Sequence, residues 1–268
     1  MRLAVNYSPQ AAELLNAGKI QVDLFKCPDW PDLVATVSKL RPVYVHFPLM
    51  AGRADLEKVG VEKINALLAS TGTRYVNTHL APRAADFGIP LDTDDPAHTR
   101  ALVDAMLTDI AAMVSQFGRE RVILENGNWD PNYDIPCPVI EPEIISHVVT
   151  ASGCGFLLDI AHARMAAAYL DIDPYDYLVR LPVEHLAELH ITGTLYDEKE
   201  ARLVDHFPMT ATDWALTEWA FERLHRGAWR QPDIVALEYG GVGPGFGWRS
   251  HADVLAVEMP RLAELIAG

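Results

Sequence analysis

Gly155-Phe156-Leu157-Leu158-Asp159 is an apolar run of strand length that carries no charge until its last position. Such a run reads as a strand buried on both faces, the kind found in parallel sheets covered by helices. Ile160-Ala161-His162 follows, so a carboxylate and an imidazole three residues apart stand where the strand leaves the sheet. In α/β folds that exit is where chemistry is kept. A lone Asp-x-x-His can equally be a helix N-cap followed by an ordinary histidine. The choice depends on whether other strands end the same way.

They do. Strand-like segments are expected at Leu3–Asn6, Gln21–Phe25, Val43–Phe47, Tyr75–His79, Arg121–Asn126, Gly155–Asp159, Leu186–Ile191 and Ile234–Tyr239. Between them helical spacing of apolar residues is expected near Trp30–Leu40, Asp55–Ser70, Pro96–Phe117, Glu143–Ser152 and Thr212–Leu224, with Ser250 capping a last helix. Eight strands each followed by a helix, without repeats or composition breaks, specify a (β/α)8 TIM barrel as one domain over residues 1–268.

Charge and cysteine content bound the function. A formal charge of −15, from 22 basic and 37 acidic residues, disfavours a nucleic-acid footprint. No apolar run spans a bilayer and no signal-peptide pattern precedes Arg2-Leu3-Ala4-Val5, so neither membrane nor export is expected and the location is read as cytoplasmic. Cys27, Cys137 and Cys154 are too few and too scattered for a disulfide framework or a thiolate zinc site.

Aligning the strand ends brings His46, His79, Glu125, Asp159, His190 and Glu238 to six consecutive exits. Histidine fills only 10 of 268 positions, so three of them at chosen exits is not composition alone. Barrel strand ends converge at one face, where these nitrogen and oxygen donors could hold Zn, Mn, Fe or Co. The loop of nearly twenty residues after the seventh strand carries Asp205 and His206, and a loop that long is usually functional or disordered. The glycine-rich stretch Gly240–Gly247 matches no phosphate fingerprint and reads as a lid or turn, with Arg249 available to clamp a substrate carboxylate.

Leu158-Asp159-x-x-His162, Glu188-Leu189-His190, Glu125 and Glu238 resemble the xylose-isomerase-like barrel superfamily. Within it, Leu124-Glu125-Asn126, Glu188-Leu189-His190-Ile191-Thr192-Gly193 and the Asp205-His206 pair before Trp214-Ala215-Leu216 resemble the multinuclear non-haem iron-dependent oxidases, which include the methanobactin biosynthesis enzyme. The resemblance implies oxidation of a cysteine-containing peptide or small thiol, with or without a partner protein presenting it. It implies two or three iron ions, zinc or manganese being alternatives. His46, His79 and Glu125 would form one position; Glu125 would bridge to a second made by Asp159, His190 and Glu238; His162 with Asp205 or His206 would hold a third. Asn126 and Arg249 are expected on the substrate side. The family spaces the late pair Asp-x-His, whereas here Asp205 and His206 are adjacent. Three other readings share these residues. A sugar isomerase or epimerase needs only Glu125, Asp159, His190 and Glu238; an endonuclease IV type uses zinc on a phosphodiester; a metal-binding scaffold barrel catalyses nothing.

Overall fold

The chain runs β1 (Arg2–Asn6), β2 (Leu24–Pro28), β3 (Val43–His46), β4 (Met50–Ala51), β5 (Val76–Leu80), β6 (Val122–Glu125), β7 (Gly155–Asp159), β8 (Leu186–Ile191), β9 (Gly193–Asp197), β10 (Arg202–Phe207) and β11 (Ile234–Leu237). This computed structural model describes residues 1–268. Nine strands form one parallel sheet in the order β3-β2-β1-β11-β8-β7-β6-β5-β4. Only Phe47, Pro48 and Leu49 separate β3 from β4, so the two ends of the order are joined by the chain itself and the sheet curls into the barrel. Side chains stitch that seam: Thr73 Oγ1 accepts from Val45 N–H (2.8 Å) and Asn77 Oδ1 from Phe47 N–H (2.7 Å). This is the expected TIM-barrel architecture.

The period of two along each strand positions the site. Ala4, Leu24, Tyr44, Ile234 and Ala236 pack together inside the barrel, and Tyr75, Ile123, Leu157 and Ala187 form a second inner cluster. Two residues further along the same strands stand Asn6, Lys26, His46, Glu125, Asp159 and Glu238. An apolar plug therefore closes the barrel below and a ring of polar side chains lies on top of it. The alternate residues, Val5, Phe25, Val45, Leu124, Leu158, Leu189 and Leu237 among them, join the large apolar cluster beneath the helices.

Several expected boundaries differ. The second strand is Leu24–Pro28 rather than Gln21–Phe25; the Asp23 side chain accepts from Leu3 N–H (2.8 Å), and the strand begins only after it. The helix expected over Asp55–Ser70 is two, Asp55–Val59 and Val61–Ser70, because Gly60 at φ 91° interrupts it. Helix Pro96–Phe117 forms as expected, with Asp95 accepting from Ala97 N–H. The last helix, Ala252–Ala267, begins after His251, and Ser250 makes no cap bond, correcting the expected N-cap. The long segment after β8 is not irregular: β9 and β10 form an antiparallel hairpin, a separate two-stranded sheet.

Candidate metal centre

Every expected donor reaches one cluster at the mouth. Glu125 is its middle: Oε2 lies 3.2 Å from His79 Nε2 and 3.5 Å from His46 Nε2, while Oε1 lies 3.6 Å from His162 Nδ1 and 3.7 Å from His190 Nδ1. His190 Nδ1 is 2.7 Å from Glu238 Oε1, and His162 Nε2 is 3.2 Å from Asp205 Oδ2 and 3.9 Å from Asp159 Oδ2. Three overlapping sets, His46–Glu125–His190, Glu125–Asp159–His162 and Asp159–His190–Glu238, each offer ligand atoms within 4.8 Å of one another. Glu125 belongs to two of them, as a bridging carboxylate would.

The hairpin resolves the adjacency of Asp205 and His206. Neighbouring residues on a strand normally point to opposite faces. Here the β9–β10 register shifts between Val204 and Phe207, and His206 takes a left-handed φ of 61°. A bulge of this sort re-aims a side chain. Asp205 Oδ2 and His206 Nε2 consequently face the same cluster, 3.6 Å apart.

The imidazoles are oriented from behind. His190 Nε2–H donates to Glu188 Oε1 (2.7 Å), which leaves Nδ1 as the free lone pair at the cluster. His206 Nδ1–H donates to the Glu238 carbonyl (2.8 Å), leaving Nε2 free. Asn126 accepts from Asp159 N–H (2.8 Å) and donates to Asp159 O (3.0 Å), and its own carbonyl accepts from His162 (3.0 Å). Expected to face substrate, Asn126 spends its amide on the backbone of Asp159. Arg249 likewise donates to the Asp205 carbonyl (3.0 Å) and lies over the rings of Phe207, Phe246 and Trp248. Its partner here is the hairpin, not an open pocket.

The donor set fits a metal. Glu125 Oε2, Asp159 Oδ2 and His190 Nδ1 are buried at the cluster and make no hydrogen bond of acceptable geometry. Leaving one such group unsatisfied costs about 1–3 kcal/mol, and three in one cluster is far from the ordinary pattern of a protein interior. Cations placed among them would satisfy nitrogen lone pairs and carboxylate oxygens together. Charge already concentrates there. Burial opposes a charge on His162, but Asp159 and Asp205 outweigh it and lift its pKa to about 10. Burial would raise Glu125, yet His79, His190 and His46 hold it well below the usual carboxylate range.

Sequence reasoning missed Lys26, whose side chain is 8% exposed and whose ammonium pairs with Glu238. Burial draws its pKa down to about 8 against the pull of Glu125, Glu188, Asp159 and Asp205. The signal was present: with β2 in its true register, Lys26 is two residues beyond the inward-facing Leu24. Glu188 was visible in the same way, two residues before His190.

Residues 29–229 match the family described as RiPP precursor modification enzyme MbnB/TglH/ChrH, and the chain belongs to that family. A UPF0276 protein of Rhizorhabdus wittichii is 25% identical over 197 residues, covering 72% of this chain and 69% of the relative. A UPF0276 protein of Caulobacter sp. strain K31 is 30% identical over 132 residues, 47% of this chain and 46% of the relative. Among solved structures, a D-psicose 3-epimerase superposes with a TM-score of 0.58 at 12% identity, covering 98% of this chain and 97% of the other. An AP endonuclease of family 2 from Brucella melitensis gives 0.57 at 14% identity, covering 97% and 98%. Those two similarities concern the fold alone, a TIM barrel.

Proposed function

We propose that this chain is a multinuclear non-haem iron-dependent oxidase that modifies a cysteine-containing precursor peptide with O2, acting in the cytoplasm. The observation that carries the reading is the convergence of unpartnered, buried donors around Glu125. His46 with Glu125 and His190, Glu125 with Asp159 and His162, and Asp159 with His190 and Glu238 would hold the ions, and Asp205 and His206 would complete the hairpin side. Iron bound there would supply one-electron chemistry with O2 and Lewis acidity toward a thiolate. The chain's own residues do the rest. Glu188 and the Glu238 carbonyl fix the tautomers of His190 and His206; Asn126 and Arg249 hold the backbones that carry Asp159 and Asp205. Strand residues below the ring exclude water from the barrel interior.

A mononuclear epimerase needs Glu125, Asp159, His190 and Glu238 only. His46, His79 and His162 lie outside that set, yet each brings a ring nitrogen within 3.6 Å of Glu125. The acidic surface opposes a phosphodiester substrate. The test is metal analysis of protein purified without oxygen, followed by oxygen uptake with a cysteine-containing peptide. Iron-dependent, peptide-dependent uptake is expected. Turnover by zinc-loaded protein without oxygen would sink the oxidase reading and bring hydrolysis forward.

A further inference from the structure

Lys26 is a cation in direct contact with a carboxylate of the cluster, and the ligand assignments leave it unused. It reaches the ring from the end of β2, and its Nζ contacts Glu238 Oε1. The same oxygen lies 2.7 Å from His190 Nδ1, on the edge of the Asp159–His190–Glu238 set. An ammonium has three donors and no lone pair, so it cannot be a ligand. It can only compete for one.

We propose that Lys26 is a built-in competitor for Glu238, which makes the Asp159–His190–Glu238 position the weakly held, exchangeable one, while the positions around Glu125 hold their ions tightly. The inference rests on the metal-centre reading. An ion entering the Glu238 position must separate the ammonium from the one carboxylate it touches, an unfavourable change in a desolvated site. No ammonium touches Glu125, whose neighbours within 3.7 Å are the imidazoles of His46, His79, His162 and His190.

The experiment titrates Mn(II) alone into the full chain after metal removal, reading free Mn(II) by electron paramagnetic resonance and heat by calorimetry. Lys26→Met keeps most of the stem's packing and removes the charge. Wild type should show two tight ions and a third bound at least about tenfold more weakly; Lys26→Met should tighten the third by about tenfold or more, within the range that outer contacts tune metal affinity. Lys26→Arg, which keeps the charge, should retain the wild-type pattern. Glu238→Gln should abolish the weak site and make a further Lys26→Met change silent, because the coupling runs through that carboxylate. A weak site unchanged or loosened by Lys26→Met, with folding verified by circular dichroism, overturns the proposal. If Lys26→Met does not fold, Lys26→Gln takes its place with the same expectations. A wild-type chain that binds no Mn(II), Fe(II) or Zn(II) overturns the metal-centre reading itself, a separate result.

Discussion

The two sides of the cluster are built differently. Glu125, Asp159 and His190 stand on β6, β7 and β8, interior strands of the parallel sheet, with Glu125 in register with His79 and Asp159 with His190. Asp205 and His206 stand on a two-stranded hairpin outside that sheet, held by a bulge, a left-handed residue and the Arg249 contact. On the strand side, position follows from period and pairing. On the hairpin side it depends on a few local choices, so single substitutions there should displace ligands without touching them.

The largest effect is expected at the strand-side centre. Glu125→Gln keeps the volume but removes the charge and one strong donor oxygen of a residue shared by two ligand sets. More than one metal equivalent should be lost, measured by elemental analysis after anaerobic purification. Loss of one equivalent or none would mean that Glu125 does not bridge.

Next comes a pair of glycines that sets the two sides against each other. A Cβ on Gly193 would stand 2.1 Å from the Pro208 carbonyl oxygen and 2.4 Å from that of Phe207, backbone atoms that cannot yield without moving the hairpin's exit. A Cβ on Gly155 would meet side chains rather than backbone, Ile123 Cγ2 at 2.9 Å and Ala187 Cβ at 3.2 Å. Gly193→Ala should therefore destabilise by about 1–3 kcal/mol, as forced overpacking does, and loosen the ion nearest Asp205. Gly155→Ala should cost less and leave metal content intact. Equal effects in denaturant unfolding would erase the distinction between the sides.

This contrast also explains what could be read from the sequence. The barrel and the six strand-end donors were legible because buried parallel strands announce themselves as apolar runs, and the residue after the run lands at the mouth. Lys26 was hidden by a strand placed too early, since Val22 looks apolar enough to extend β2 while Asp23 actually turns back to Leu3. The hairpin was invisible because its strands, Gly-Thr-Leu-Tyr-Asp and Arg-Leu-Val-Asp-His-Phe, are only partly buried and alternate weakly. Nothing in the order Asp205-His206 reveals a bulge. It follows from tertiary contacts: the Arg249 donation, the Glu238 carbonyl and the room that Gly193 leaves.

A smaller effect is expected where the sides meet. His162 lies between Glu125 and Asp205, with its backbone N–H donated to Asp159 Oδ1 (2.8 Å). His162→Ala retains that backbone bond, so Asp159 stays in place and at most one metal equivalent should go. Loss of all metal would show that the hairpin side is not a separable part of the cluster.

The smallest effect concerns how the hairpin's exit is tied down. Met209, two residues past β10, donates its N–H to Glu258 Oε1 on the last helix (2.6 Å), while Glu258 Oε2 has no hydrogen-bond partner. Burial pushes this carboxyl up from 4.5 to about 7; Asp213 adds to the rise, while the Met209 N–H and Arg261 oppose it. A carboxyl with a raised folded-state pKa binds its proton more tightly in the native chain than in the unfolded one. Stability is therefore lost as pH rises from the unfolded value near 4.5 to the folded value near 7, and below that window the group contributes no pH dependence. Glu258→Gln keeps an acceptor for Met209 and cannot ionise. Its stability relative to wild type should be close to equal at pH 4.5 and should grow to an advantage on the order of 1–3 kcal/mol at pH 8. Unfolding curves that stay parallel across this range would mean that Glu258 ionises freely. They would then leave the bulge, Gly193 and Arg249 to hold the hairpin without help from the last helix.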